Sequence, residues 1–285
     1  MAQSNAHKFG QIIGDLLELA ITPCLQQFVN ERGLYLDKKG ERPARKGKKV
    51  SWTDGNGNVH DLDFVIERGG TDVAIGAPVA FIESAWRRYT KHSRNKAQEI
   101  QGAIIPLRNK YQDNSPFIGV ILAGDFTGGA INQLKSLGFS VLYFTYEMVQ
   151  AAFRKFGIDI FYDEDTSEDD LLAKVNLCLA SAHIQDIATA LFEDNKAMVD
   201  SFIVSLNQAI SKRIDHILIL PLHGQEVVIA TATAAIDFLN QYEDDKGCSY
   251  SLSHYLIIIE YSTGDRIEAK YKNKAGAIEF LQHYL

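Results

Sequence analysis

Apolar positions along this chain follow two different periods. From Phe9 to about Arg32 the residues Ile12, Ile13, Leu16, Leu17, Leu19, Ala20, Leu25, Phe28 and Val29 recur at helical spacing, with Gly33 as a stop and Pro23 as an expected bend. Further on the pattern shortens. Ser51-Trp52-Thr53 reads as a strand, Asp54 to Asn58 as its turn, and Val59 to Glu67 as one return strand ending at Gly69-Gly70. Val79 to Ile82 is a buried-strand run that Trp86 to Tyr89 prolongs. Ser93 is placed as the N-cap of a helix carrying Ile100, Ile104, Leu107 and Tyr111, in which Pro106 predicts a kink or an early end. Two more strands, in 115–125 and 141–144, alternate with helices at 130–137 and 148–156. The order is helix, three strands, helix, strand, helix, strand, with a further helix after it, which predicts an α/β fold.

From Asp159 to Asp170 there are seven acids and no cations, and a domain boundary is placed there, near residue 165. Domain one is then 1–165. Domain two, 166–285, opens with helical segments over 171–212, divided near Glu193-Asp194-Asn195. A duplication follows. His216-Ile-Leu-Ile-Leu, Gly224-Gln-Glu-Val-Val-Ile and Ala235 to Tyr242 are echoed by His254-Tyr-Leu-Ile-Ile-Ile, Gly264-Asp-Arg-Ile-Glu-Ala and Ala277 to Tyr284. Two strand-strand-helix units predict a four-stranded sheet covered by two helices, suited to DNA recognition or dimerisation.

Charge sharpens the division. The chain carries a net charge of −7, yet residues 1–110 hold 17 Lys and Arg against 12 Asp and Glu, while the remainder holds 12 against 24. A basic half in an acidic protein points to an anionic partner. Cys24, Cys178 and Cys248 lie far apart without ligand spacing, which fits core residues in a reducing compartment. His216, His223 and His254 likewise lack partners at metal-ligand spacing and read as structural or surface residues. No basic-then-apolar leader opens the sequence and no apolar run approaches the ~20 residues of a membrane span, so a cytoplasmic protein is expected.

The chemistry concentrates in residues 63–96. Asp63 heads the run Phe64-Val65-Ile66, and Glu83 ends the run Val79 to Ile82. If the two runs pair antiparallel across the Gly69-Gly70 to Gly76 connection, both carboxylates converge and offer hard oxygen ligands suited to Mg²⁺. Asp61, two residues before Asp63, is expected on the same face of its strand. Arg87, Arg88, Lys91, Arg94 and Lys96 follow with no acid among them, and 38–49 holds seven cations and one acid. Within that second cluster Arg42, Arg45, Lys46, Lys48 and Lys49 are candidate phosphate contacts in a loop that is otherwise solvated and mobile.

Asp63-Phe-Val-Ile with Phe81-Ile-Glu83-Ser-Ala85 resembles the PD-(D/E)XK nuclease superfamily, which includes most type II restriction endonucleases. The resemblance covers roughly the first half of the chain, where the order of elements is the one the superfamily core shows, and it implies a restriction-endonuclease-like core, a mixed sheet flanked by helices. It implies Mg²⁺ held by Asp63, Glu83 and the backbone carbonyl of Ser84, with an acid on the first helix, Glu18, reaching the site. It also implies a lysine two residues after the glutamate, where this chain has Ala85. Three explanations for Ala85 stand side by side: an engineered replacement that traps an uncleaved complex, placed first; a cation migrated to Lys91 or Lys96; and an inactive relative that only binds. The expected activity is Mg²⁺-dependent hydrolysis of double-stranded DNA by a homodimeric type II restriction endonuclease. A DNA-binding pseudo-nuclease and a junction or repair nuclease are the alternatives.

Overall fold

The structure, a computed structural model, describes residues 4–211, 213–222, 227–244, 252–262 and 264–285. The expectations for His223, Gly224 and Cys248 lie outside the described residues. The first helix, α1 (Asn5–Arg32), is capped by Ser4, whose hydroxyl accepts from the His7 N–H, and closes at Gly33, whose φ of 63° suits a residue without Cβ. Its stripe of Phe9, Ile13, Leu16, Leu17, Ile21 and Leu25 is fully buried. Each such side chain contributes about 1.5–3 kcal/mol by leaving water. Pro23 sits inside this helix without ending it. By length and composition α1 could cross a membrane, contrary to the expectation that no stretch comes near that length, and its apolar stripe is packed in the core.

Next come β1 (Leu34–Lys38), the hairpin β2 (Val50–Thr53) and β3 (Val59–Leu62), then β4 (Phe64–Arg68) and β5 (Ala77–Arg87). Asp54 holds the hairpin turn by accepting from the Asn56 and Asn58 N–H groups. The expected single return strand is two. The chain leaves the hairpin sheet after Leu62 and enters the five-stranded sheet at Phe64, so Asp63 occupies the break. β1, unforeseen in the sequence, pairs antiparallel with β4 from Leu34 opposite Arg68 to Lys38 opposite Phe64.

The elements α2 (Ser93–Lys110), β6 (Phe117–Gly124), α3 (Gly128–Ser136), β7 (Ser140–Thr145) and α4 (Tyr146–Arg154) follow the expected alternation. The sheet order is β1-β4-β5-β6-β7, antiparallel up to β5 and parallel from β5 to β7, a mixed sheet flanked by helices. Strand alternation divides the core. Phe64, Ile66, Ala80 and Ile82 pack in one cluster with α1, and Val65, Phe81 and Ala85 pack in a second with Ala97, Ile100 and Ile104 of α2. Two details of α2 differ from expectation. Ser93 is its first residue rather than its cap, because a 3₁₀ turn over Thr90–His92 precedes it and the Ser93 hydroxyl donates to the Thr90 carbonyl. Pro106 lies within it, and the helix runs on to Lys110.

Three helices, α5 (Glu168–Ala180), α6 (Ile184–Asp194) and α7 (Lys196–Ile210), complete the first unit. The boundary therefore falls between Ile210 and Ser211, not near residue 165. Two facts explain the shift. Ile158, Ile160 and Tyr162, interleaved with the acids, are buried, so the acidic run is a core-anchored segment rather than a linker. Leu171, Val175, Ile187, Leu191 and Phe202 join the same cluster as α1. The second unit, Ser211–Leu285, holds the duplicated ββα elements: β8 (Ile214–Pro221), β9 (Val227–Ile229), α8 (Ala232–Gln241), β10 (Tyr255–Tyr261), β11 (Arg266–Tyr271) and α9 (Lys274–Gln282). They form the expected four-stranded sheet, in the order β11-β10-β8-β9, around Ile217, Ile219, Ile257, Ile259, Leu239 and Leu281.

Candidate active site

Register brings the two acids together. β4 and β5 pair antiparallel with Phe64 opposite Ile82, so the next positions outward are Asp63 and Glu83. The Asp63 carboxylate accepts from the Ser84 N–H at 2.7 Å and from the Ser84 hydroxyl at 2.6 Å, which fixes it at the end of β5. A strand residue presents its N–H and C=O on the same edge. The Ser84 carbonyl therefore points to the edge that Asp63 occupies, beyond the last β4 pair. Asp61 is not on this side of the structure's chemistry: the break at Asp63 removes the two-residue periodicity, and Asp61 instead accepts from Lys49 and Ser51 on the hairpin.

Glu83 is the unusual member. Its Oε2 is buried and has no hydrogen-bond partner among the described residues. Burial, then the Asp63 charge, push its carboxyl up to about 8, opposed by Lys96 and by a hydrogen bond from the Asp63 backbone. Glu18 reaches the same place from α1. Burial and the Asp63 charge push it up to about 7, with Lys39 opposing and Asp15 adding. Asp15 itself is exposed and lies 3.9 Å from Lys39.

These groups line one cleft of about 760 Å³. Glu18, Gly10, Gly14, His7 and Gln11 come from α1; Asp63, Glu83, Ser84, Ala85 and Arg87 from the sheet; Asn95 and Lys96 from α2; Tyr162 from the acidic segment. Ala85 stands two residues beyond Glu83 on the same strand face and is buried, so its methyl group occupies the position the motif gives to lysine. Lys96 lines the cleft with its side chain only 12% exposed, donates to Glu99 at 2.7 Å, and holds down the pKa of Glu83.

The cations expected to meet phosphate divide sharply. Arg42 and Arg45 are structural. Arg42 is 4% exposed and clamps Glu67 in a double hydrogen bond of 2.6 and 2.9 Å while also contacting Asp37 at 2.9 Å. Arg45 bonds Asp37 and the carbonyls of Lys38, Gly40 and Gly47. The 38–49 loop is therefore pinned rather than mobile. Arg88 is likewise committed, to Asp125 at 2.6 Å, to the Tyr162 carbonyl, and to the Tyr146 ring at 4.2 Å. Lys91 contacts Glu164, Lys49 contacts Asp61, Lys48 lies 3.7 Å from Glu41, and Arg87 lies 3.7 Å from Glu99. Lys46 and Arg94 are exposed and have no ion-pair partner among the described residues.

Comparison with known proteins adds little. No family model and no curated protein matches the chain. One solved structure, described as a protein of unknown function AF1548, aligns over 64% of this chain and 99% of its own at 11% identity with a TM-score of 0.30. At that level it carries no argument.

Among the described residues no three His, Cys, Asp or Glu side chains form a metal-binding group. The donor set nonetheless fits Mg²⁺, which takes one or two carboxylates and leaves its other positions to water and substrate phosphate. An unpartnered buried carboxylate oxygen beside a second carboxylate is an arrangement that a cation would complete. The sequence pointed to Asp63, Glu83, Glu18 and Lys96. Tyr162, His7 and Gln11 had no motif to mark them.

Proposed function

We propose that this chain is a Mg²⁺-dependent nuclease of the PD-(D/E)XK kind, acting on double-stranded DNA as a type II restriction endonuclease. The observation that carries the reading is the juxtaposition of Asp63 with a half-buried Glu83 whose enclosed Oε2 lacks a partner. Asp63, Glu83 and the Ser84 carbonyl would hold the ion. When bound, Mg²⁺ supplies positive charge to the phosphoryl oxygens as negative charge builds on them. The protein's own groups do the rest. Lys96, in place of a lysine at 85, lines the cleft and is the cation whose charge acts on Glu83, and its ammonium orients the attacking water and hydrogen-bonds the phosphate. Glu18, with a carboxyl that exchanges its proton near neutrality, accepts a proton at the same cleft. Lys46, Lys48, Lys49 and Arg94, all exposed, supply phosphate contacts along the flanking duplex. A cytoplasmic homodimer is the assembly and location that go with this activity.

Incubation with supercoiled plasmid and Mg²⁺ is the test. Linear or discrete products from the wild-type chain, absent with Asp63→Asn and Glu83→Gln, support the proposal; intact plasmid at every divalent ion tried removes it. Ala85 favours a second reading, a chain that binds duplex DNA without cutting it. If Lys96 serves, Lys96→Ala lowers cleavage by roughly 10²-fold or more and Ala85→Lys changes it little. If position 85 has lost an essential lysine, the wild type is inert and Ala85→Lys cuts.

A further inference from the structure

The sheet of the duplicated unit, Ser211–Leu285, has two different faces. Ile217, Ile219, Tyr255, Ile257 and Ile259 point to one side and pack under α8 and α9 through Ala235, Leu239, Ala277 and Leu281. The alternate residues point to the other side. There Leu218, Leu220, Leu256 and Ile258 are half-buried and join none of the three buried cores, while Leu222 and Val228 are 43% and 64% exposed. Register gathers them into one patch: Leu218 pairs with Ile258 and Val228, Leu220 pairs with Leu256, and the Leu222 N–H donates to the His254 carbonyl. A solvated sheet face carries polar residues at such positions. This one is aliphatic at matching places in both repeats, Leu218 with Leu220 and Leu256 with Ile258.

We infer that this face is the contact between two copies of the chain, packed sheet on sheet about a two-fold axis that runs along the strands. The inference deepens the homodimer of the proposed function and rests on that part of the reading alone, not on the metal site. Charge selects both the occupant and the axis. Arg266 and Lys270 lie on the outermost strand, β11, each already beside Glu268 at 3.2 and 3.8 Å, and Glu260 stands on the central strand β10, which disfavours a nucleic-acid backbone. With the axis along the strands, β8 of one copy covers β10 of the other. Leu218 then meets Ile258, Leu220 meets Leu256, and His216 meets Glu260, each contact occurring twice. An axis across the strands would instead set β11 on β11, with Glu268 against Glu268 and Arg266 against Lys270. Strand spacing and rise give the face about 400 Å² of flat footprint per copy, so a pair covers roughly 800 Å² before side-chain relief is counted, the range of weak, concentration-dependent association.

The test follows the oligomeric state of the full chain by sedimentation velocity, from about 1 to about 200 µM. Wild type is expected to pass from monomer to dimer across that range. Leu220→Glu and Leu256→Lys each place a charge under the second copy and are expected to weaken association roughly tenfold or more. Mixed in equal amounts, the two variants are expected to regain the wild-type dimer, because the new carboxylate of one copy meets the new ammonium of the other. Thermal midpoints check that each variant is folded. Should a charged variant fail to fold, Leu256→Thr keeps a strand-forming side chain and is expected to show the same direction of loss. A wild type that stays monomeric at the highest concentration, folded variants that dimerise as the wild type does, or a mixture that stays monomeric each overturns the inference. A monomeric wild type whose affinity for a labelled duplex falls in Leu220→Glu assigns the face to nucleic acid and overturns it as well. None of these results decides the metal site, which stands or falls with plasmid cleavage.

Discussion

Two glutamates on neighbouring strands, Glu67 fully buried and Glu83 half-buried with an enclosed Oε2, differ in how their carboxylates are answered. Glu67 on β4 is fully enclosed and accepts two hydrogen bonds from Arg42 and a third from the Gly76 N–H at 2.7 Å. Glu83 on β5 has an oxygen with no donor, sits beside a second carboxylate, and has its carboxyl pushed up to about 8. An enclosed carboxylate oxygen is thus common to a structural clamp and a candidate catalytic group. What separates them is whether the charge has already been answered within the chain.

The comparison breaks most visibly at the clamp. Arg42→Ala leaves Glu67 as a buried charge without a cation and Asp37 with Arg45 alone, and should cost roughly 3–5 kcal/mol of stability by denaturant unfolding. A loss below ~1 kcal/mol would mean that the clamp is not what holds the loop. Glu83→Gln should act in the opposite direction. A folded-state pKa above the unfolded value of about 4.3 means that the folded chain holds the extra proton between those values, so wild-type stability falls as pH rises from there to about 8. Glutamine removes that dependence. The variant should match wild type near pH 4 and exceed it most above pH 8, and thermal midpoints across the range will show whether the gain grows with pH.

Lys96→Ala takes away the cation that opposes protonation of Glu83, so the alkaline shift of the carboxyl increases. Cleavage should fall by roughly 10²-fold or more, with the rising limb of the pH profile moved to higher pH. An unmoved profile would detach Lys96 from the acid pair. Smallest of all, Lys46→Ala and Lys48→Ala should leave stability within ~0.5 kcal/mol and lower duplex affinity with a shallower salt dependence, by a slope of ~1 for each lysine. An unchanged slope would remove the loop from the DNA surface.

The pattern of apolar runs made most of the first unit legible, including the antiparallel meeting of 64–66 with 79–82 that joins Asp63 to Glu83. Periodicity is local, and β4 against β5 is a short connection. What failed required knowledge of distant partners. β1 shows as a strand only once β4 is there to pair with it. The seven-cation loop looked uniform in sequence, yet Asp37 and Glu67 sort its arginines inward, because a guanidinium can satisfy a buried carboxylate at both oxygens and lysine cannot. The acidic run resembled a linker by charge, but Ile158, Ile160 and Tyr162 between its ends and α1 decide its place. Glu83 was legible as an acid at a strand end, and only coordinates reveal that one of its oxygens is unanswered.

That unanswered oxygen is tested most directly by titrating Mg²⁺ into the wild-type chain by calorimetry near pH 7, in two buffers of different ionisation enthalpy. With Glu83 and Glu18 both partly protonated there, cation binding should release protons, so the observed heat should differ between buffers, and Glu83→Gln should abolish both binding and release. Mg²⁺ heats that are absent, or that persist unchanged in Glu83→Gln, would contradict the account.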